Sequence, residues 1–185
     1  MKIIRAKDYN DMSRKAANII SAQVIMKSDS VLGLATGATP TGTYKQLIDW
    51  YKKGDIDFSE VTTINLDEYR GLPKTHSQSY WYYMHENFFN HVNIPENKIH
   101  LPDGSNLNSE AACEEYEEMP RQAYTMGIKS IMQARKVLMI VNGESKADII
   151  ERALFGRVTP EVPASVLQMH PDFTIIGDEA AFSKI

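Results

Sequence analysis

The chain has 185 residues, 43% of them hydrophobic, and a formal net charge of −4 at pH 7. This length and hydrophobic content suit one domain with a substantial core. The negative charge and the absence of a Lys/Arg run argue against nucleic acid or an anionic membrane surface as a partner. A single cysteine, Cys113, excludes an internal disulfide, and residues 1–7 lack the apolar core of a signal peptide. We therefore expect a cytoplasmic protein.

Helix and strand patterns alternate along the chain. They predict, in chain order, a helix at 11–26, a strand at 31–35, a helix at 43–51, a strand at 61–66, a helix at 77–91, a short strand at 99–101, helices at 109–119 and 125–134, a strand at 136–141, a helix ending near 155 and a strand at 173–176. The apolar runs at 31–35 and 136–141 are typical of strands buried on both faces. The alternation predicts a single α/β domain with a mostly parallel sheet and helices on both faces, a three-layer Rossmann-like arrangement.

The first apolar strand leads into a loop of small residues, Thr36, Gly37, Ala38 and Thr39, which opens a helix. The first N–H groups of a helix have no partner within the helix, and the helix dipole is positive at this end. Threonine hydroxyls add further donors. A Gly/Thr loop can also be only a tight turn between strand and helix. Alternatively, it binds a phosphate group.

Two other strand ends carry reactive side chains. Asp67 and Glu68 follow the strand predicted at 61–66, and residues 143–146, which end at Lys146, follow the strand at 136–141. In a parallel sheet, ligands bind beyond the carboxyl ends of the strands, where these residues would converge. Asp67 can instead cap the next segment, and Lys146 can be an ordinary exposed lysine. Their coincidence with the Gly/Thr loop favours a ligand site.

Several segments resemble the glucosamine-6-phosphate deaminase family, in the order and at the spacing of that family. They are residues 32–44 (LGLATGATPTGTY), 64–72 (INLDEYRGL), 79–80 (SY), 84–89 (MHENFF), 163–171 (PASVLQMHP) and 178–181 (DEAA). The resemblance implies conversion of glucosamine 6-phosphate and water into fructose 6-phosphate and ammonia, without a metal or an organic cofactor.

By position, the resemblance also implies roles for individual residues. Asp67 matches the general base that moves a proton between C2 and C1 of the sugar. Thr36, Gly37, Ala38 and Thr39 match the phosphate loop, which gives that loop the ligand suggested above. Lys146 matches the phosphate-binding lysine.

The choice between the two adjacent carboxylates follows from backbone geometry. Neighbouring residues of an extended chain point to opposite sides, so at most one of Asp67 and Glu68 faces the substrate. A carboxylate at a rigid strand end can serve C2 and then C1 of an opened sugar, and we assign this role to Asp67. Burial and the charge of Glu68 should both raise the pKa of Asp67.

One segment of the family pattern is missing. Family members carry Gly-His-Ile-Gly-Phe-Asn-Glu-Pro and an arginine between the positions that correspond to Met119 and Pro120, and this chain does not. The segment would supply ring-opening groups, a phosphate-binding arginine and a central strand. Two interpretations remain open: the working protein contains these residues, or the chain is a shortened relative. In the second case we expect little or no deaminase turnover.

Two other functions compete with the deaminase. A non-catalytic phosphosugar-binding module would also keep the loop and Lys146, although it has no need of Asp67. A sugar-phosphate lactonase of the same fold is less favoured by residues 65–69 and 164–168. The five histidines lack metal-ligand spacing, so we expect no metal site. The aromatic residues at 80–83 and 88–89 suit a core or an oligomer contact, and the sequence leaves a homo-oligomer open.

Overall fold

The computed structural model describes residues 1–105 and 123–185, which form two compact units. The first unit contains residues 1–22, 38–47 and 127–185, and the second contains the described residues of 23–37 and 48–126. Cys113, the helix predicted at 109–119 and the Met119–Pro120 junction lie outside the described residues.

Eight strands and five α-helices make up the described part of the chain. The strands are β1 Lys2–Ala6, β2 Val31–Leu34, β3 Thr62–Asn65, β4 Asp67–Tyr69, β5 Ile99–His100, β6 Ala123–Thr125, β7 Val137–Val141 and β8 Phe173–Asp178. The helices are α1 Tyr9–Met26, α2 Ala38–Lys53, α3 Tyr80–Asn87, α4 Ile128–Met132 and α5 Ala147–Phe155. Short 3-10 helices span Phe89–His91, Glu96–Lys98, Glu144–Lys146 and Pro163–Met169.

The first unit is built on a parallel three-stranded sheet in the order β1-β8-β7. The central strand β8 is apolar on both faces, and Ile175 and Ile176 are fully buried on opposite sides. Ile150 and Leu154 of α5 belong to the cluster of Ile175. Met12 of α1 belongs to the cluster of Ile176. Both faces of this sheet therefore carry helices, as expected for parallel strands.

The second unit contains a parallel sheet in the order β2-β3-β5 and an antiparallel pair of β4 with β6. Its core is rich in aromatic side chains. The rings of Phe58 and Phe88 meet edge to face with centroids 5.6 Å apart, and Phe89 packs beside Phe88. This arrangement confirms the core interpretation of the aromatic residues at 88–89, because Phe88 and Phe89 are buried.

The α/β class with parallel sheets is confirmed. The prediction that the runs at 31–35 and 136–141 are buried on both faces is wrong in detail. Val31 is 63% exposed, and residues 137–140 of β7 are only partly buried. Each of these strands lies at the end of its sheet and, within residues 1–105 and 123–185, pairs with one neighbour only. An apolar strand with one open side keeps part of its surface in water.

Candidate active site

The Gly/Thr loop leads directly into α2. The helix begins at Ala38, and Gly37 is its N-cap with φ 102° and ψ −179°. This φ lies in the region that favours glycine, because a Cβ atom would strain the backbone there. No side-chain hydrogen bond caps this end of α2. The positive end of a 16-residue helix therefore begins inside the predicted phosphate loop.

Two tyrosines hold the carbonyl groups of the loop. In the second unit, the hydroxyl of Tyr83 donates a hydrogen bond to the carbonyl of Gly37 at 2.6 Å. In the first unit, the hydroxyl of Tyr9 donates to the carbonyl of Ala38 at 2.8 Å and accepts the N–H of Gly42 at 2.8 Å. The carbonyls of Gly37 and Ala38 are thus bonded to the protein. The positive end of the helix beside them is the end that suits an anion.

Thr39 and the loop after β7 meet in the first unit. The hydroxyl of Thr39 donates to Oδ1 of Asn142 at 2.7 Å, so its proton is used within the protein. Gly143, with φ 89°, donates its N–H to the carboxylate of Asp178 at 3.0 and 3.2 Å. Asp178 also accepts the N–H of Ala181 at 2.8 Å. The end of β8 therefore fixes the loop that carries Lys146.

Lys146 is exposed at the end of the Glu144–Lys146 turn. Its N–H donates to the carbonyl of Gly143 at 3.1 Å, and none of the ion pairs found among residues 1–105 and 123–185 includes its ammonium group. An unpaired ammonium on a loop fixed by Asp178 suits an anionic ligand.

Asp67 is the first residue of β4, in the second unit, and is half-buried. Burial raises the pKa of its carboxyl group, and the negative charge of Glu68 raises it further. Both causes are those expected from the sequence. A carboxylate with a raised pKa binds a proton more readily than an exposed one, which suits a general base that must also return the proton.

Glu68 is only 2% exposed, and its carboxylate accepts hydrogen bonds from backbone N–H groups. One carboxylate oxygen accepts the N–H groups of Tyr69 and Tyr80, each at 2.8 Å, and the other accepts the N–H of Trp81 at 2.8 Å. The last two belong to the first turn of α3, where a negative charge is favoured. Asp67 is thus the accessible carboxylate of the pair.

Tyr80 is a polar residue of this region to which the sequence analysis gave no role of its own. Its side chain hydrogen-bonds to Thr36 and Tyr69, and the Tyr69 and Tyr80 rings lie 4.6 Å apart. Burial, Tyr69 and the charge of Asp67 raise the pKa of Tyr80 to about 12. The only signal in the sequence was its place in the SY motif, beside a serine that caps α3.

The predicted site residues fall into both units. Thr36, Gly37 and Asp67 belong to the second unit. There the Tyr80 side chain hydrogen-bonds to Thr36, and the charge of Asp67 raises the pKa of Tyr80. Ala38, Thr39 and Lys146 belong to the first unit.

No group of three or more metal-ligating side chains occurs in the described part of the chain. None of the helices described there is long and apolar enough to cross a membrane.

The PASVLQMHP segment supports the first unit. Nε2 of Gln168 donates to the carbonyls of Ala153 and Gly156, at 2.9 and 3.0 Å, and so caps the end of α5. Ser165 is fully buried and accepts the N–H of Thr159 at 3.0 Å. These contacts give the motif a structural role.

The sequence matches known proteins along most of its length. Residues 7–124 match the family described as glucosamine-6-phosphate isomerases/6-phosphogluconolactonase. The chain is 49% identical to a glucosamine-6-phosphate deaminase of Lachnoclostridium phytofermentans, over 95% of this chain and 98% of the relative. It is 40% identical to a glucosamine-6-phosphate deaminase of Clostridium botulinum, over 100% of this chain and 99% of the relative.

The relatives have residues that this chain lacks. The alignment with the Clostridium botulinum protein runs over 241 positions and takes in all 185 residues of this chain. At about 56 alignment positions, therefore, the relative has a residue and this chain has a gap.

Solved structures agree with the sequence comparisons. A structure described as a monomeric glucosamine-6-phosphate deaminase has a TM-score of 0.91 and 29% identity, over 99% of each chain. The 6-phosphogluconolactonase of Trypanosoma brucei has a TM-score of 0.72 at 15% identity, over 100% of this chain and 98% of that one, and this likeness concerns the fold alone. The chain belongs to the glucosamine-6-phosphate isomerase/6-phosphogluconolactonase family.

Proposed function

We propose that this chain converts glucosamine 6-phosphate and water into fructose 6-phosphate and ammonia. The named deaminases at 49% and 40% identity support this substrate. The observation that carries the chemistry is the half-buried Asp67, whose pKa is raised beside a Glu68 already bonded to the backbone. The reaction is a hydrolysis that removes nitrogen, and it belongs to the breakdown of amino sugars such as N-acetylglucosamine in the cytoplasm.

The steps require one base that serves two carbons. In the open-chain sugar, Asp67 takes the proton from C2, and the C–H electron pair forms a C1–C2 double bond while the C1 carbonyl becomes an enolate. Asp67 then returns the proton to C1, and the nitrogen lone pair forms a C2–nitrogen double bond. A proton passes from the resulting iminium nitrogen to the C1 oxygen, which leaves an imine at C2 and a hydroxyl group at C1. Water adds at C2 and ammonia leaves, which gives the ketose. Asp67 ends the cycle ionised, ready to act again.

The phosphate group occupies the N-terminus of α2 in this proposal. Gly37 gives the loop its turn, and the family resemblance assigns Thr36, Ala38 and Thr39 to the phosphate with it. Lys146 adds a point charge from the loop after β7. Asn142 and Asp178 support this arrangement because they bond to Thr39 and Gly143.

We infer that the positions absent from this chain lie between Met119 and Pro120. They would include the groups that open the sugar ring, so the chain as it stands acts on substrate that opens spontaneously, with low turnover. The intact mass of the purified protein tests whether the working chain is this short, because the sequence corresponds to 20.9 kDa. A larger mass would place the missing residues in the working protein.

Two alternatives make different demands on Asp67. A non-catalytic phosphosugar-binding module has no use for a carboxylate beside an anionic ligand. A lactonase hydrolyses an ester and moves no proton between carbons, and the lactonase structure described above resembles this chain at only 15% identity. The deaminase alone needs a base that first removes a carbon-bound proton and then returns it.

The test is deuterium exchange at C2 of glucosamine 6-phosphate in D₂O, followed by NMR. Wild type and Asp55→Asn, a change at an exposed aspartate, should exchange at equal rates. Asp67→Asn keeps the size of the side chain but removes the base, so exchange should collapse while calorimetric binding of the sugar phosphate persists. Wild-type exchange in Asp67→Asn would remove Asp67 from the mechanism, and binding without exchange in wild type would favour the non-catalytic module.

A further inference from the structure

In the second unit, Tyr80 is held both at its backbone and at its side-chain hydroxyl. The backbone N–H of Tyr80 is bonded to Glu68 at 2.8 Å, and its side-chain hydroxyl bonds to Thr36 and Tyr69. Its ring packs on that of Tyr69 with centroids 4.6 Å apart. A side chain fixed at its backbone, ring and hydroxyl is preorganised, which is what a catalytic hydrogen-bond donor requires.

The position of this hydroxyl relates it to both parts of the proposed site. Thr36 belongs to the loop proposed to bind phosphate, and Asp67, the proposed base, lies close enough for its charge to act on Tyr80. A phenol is protonated at neutral pH, and the pKa of Tyr80, raised to about 12, makes its ionisation still less favourable. A neutral donor beside a carboxylate base can stabilise an oxyanion without taking the proton that the base must keep.

We propose that Tyr80 is a further catalytic residue, whose hydroxyl donates a hydrogen bond to the C1 oxygen of the open-chain sugar while Asp67 removes the proton from C2. This inference rests on the proposed function, because it needs the enolate step. When the C2 proton passes to Asp67, the electron pair moves into the C1–C2 bond and negative charge appears on the C1 oxygen. In the free protein the Tyr80 proton is donated to Tyr69, since that hydrogen bond raises the pKa of Tyr80. When substrate binds, the hydroxyl turns its proton from Tyr69 to the C1 oxygen. The proton stays on the phenol throughout, so the balance of the reaction is unchanged.

The other tyrosines of α3 are less suited to this role. The hydroxyl of Tyr83 donates to the carbonyl of Gly37 in the loop proposed to bind phosphate, so its loss would disturb that loop. Tyr82 is 37% exposed. Tyr82 is therefore a matched control: the same residue type on the same helix.

The experiment compares Tyr80→Phe with Tyr82→Phe. Phenylalanine keeps the ring that packs on Tyr69, and urea unfolding checks that both variants fold. Removal of one oxyanion donor typically costs about 100- to 1000-fold in kcat, so Tyr80→Phe should slow both turnover and C2 deuterium exchange by about 100-fold. Binding of the sugar phosphate, measured by calorimetry, should change less than threefold or so, and Tyr82→Phe should match wild type.

A second variant covers the case in which Tyr80→Phe does not fold. Tyr69→Phe removes a hydrogen-bond partner of Tyr80 and leaves Tyr80 in place, so it should slow C2 exchange by a smaller factor, about tenfold or less, with sugar-phosphate binding retained.

The outcomes separate this inference from the proposed function. If Tyr80→Phe exchanges the C2 proton at the wild-type rate, the role of Tyr80 is overturned and the proposed deaminase function stands. If that variant does not fold, the same conclusion follows from a wild-type exchange rate in Tyr69→Phe. A loss of binding equal to the loss of rate would also overturn that role, because Tyr80 would then act on the bound ground state. Binding without any exchange in wild type would overturn the proposed function and this inference together.

Discussion

One carboxylate oxygen of Glu68 accepts the backbone N–H of Tyr80 at 2.8 Å. Through this bond a strand residue fixes the first turn of the next helix. The buried charge of Glu68 is stabilised because three N–H groups point at it, two of them from α3. The same contact sets the position of the phenol proposed to act beside Asp67.

Glu68→Gln should therefore destabilise the protein strongly. The amide group has one accepting oxygen, and its NH₂ would face backbone donors that now bond to the carboxylate. We expect a loss of about 2 to 4 kcal/mol in the free energy of unfolding, since buried donors left unpaired cost about 1 to 3 kcal/mol each. Urea unfolding measures it, with Glu60→Gln as control. Glu60 forms an exposed pair with Lys98 at 2.8 Å, and its change should cost less than about 1 kcal/mol.

The stability of two aspartate variants should depend on pH with opposite signs. The folded protein raises the pKa of Asp67, so this group contributes stability at low pH and loses it as the pH rises through the raised pKa. Asp67→Asn should thus be more stable than wild type at pH 7, and the difference should shrink toward pH 4.

Asp57 provides the opposite case. Hydrogen bonds from Ser59, with a further one from Asn93, lower its pKa. Its carboxylate therefore contributes stability above the ordinary aspartate pKa and loses it as the pH falls through the lowered value. Asp57→Asn should be less stable than wild type at pH 7. Urea midpoints at pH 4, 5.5 and 7 test Asp67→Asn, and further midpoints below pH 4 test Asp57→Asn. Equal pH profiles for the two variants would contradict the assignment.

Gly37→Val should weaken binding of the sugar phosphate. Nothing lies within 4 Å of the position that a Cβ would take, so the cost arises from the φ of 102° and amounts to about 1 to 3 kcal/mol. The loop would relax away from the geometry that presents its N–H groups. Gly127→Val is the control, because Gly127 is also the N-cap of a helix with open space around it but has φ −70°. Calorimetry should show weaker binding for Gly37→Val alone, and equal affinities would remove the loop from the site.

Lys146→Ala should reduce binding of phosphorylated sugars by about 1.5 to 3 kcal/mol, the range for a hydrogen bond to a charged group. Binding of unphosphorylated glucosamine should be unaffected. The control is Lys136→Ala, an exposed lysine that precedes β7, whereas Lys146 follows it. Equal losses for both sugars would mean that Lys146 acts through the fold.

Sequence reasoning located strand ends better than helix starts. The strands β2 and β7 are long apolar runs, and their predicted positions agree with the structure to within a residue. The start of α2 was predicted at Thr43, five residues late, because Pro40 and two glycines obscure a helical pattern there. Proline is tolerated in the first turn, where its missing N–H costs nothing.

Contacts distant in sequence could not be predicted. The strands β4 and β6 have three residues each, too few for a recognisable period, and they form only because they pair with each other. Asp67 was identifiable because it follows an apolar strand in a family motif. The contacts of Asp178 with Gly143 and of Thr39 with Asn142 join residues 35 and 103 positions apart, which local patterns do not register.

The open side of β2 has a consequence for handling the protein. Within residues 1–105 and 123–185 this strand pairs only with β3, and its four residues include no charge and no proline to discourage other strands. Unprotected edges of this kind template pairing between molecules. A parallel neighbour cannot be added by a hairpin, since it needs a crossover of a dozen residues or more. A shortened chain would therefore differ from its full-length relatives first in refolding. Its yield of soluble protein would fall more steeply as the protein concentration rises.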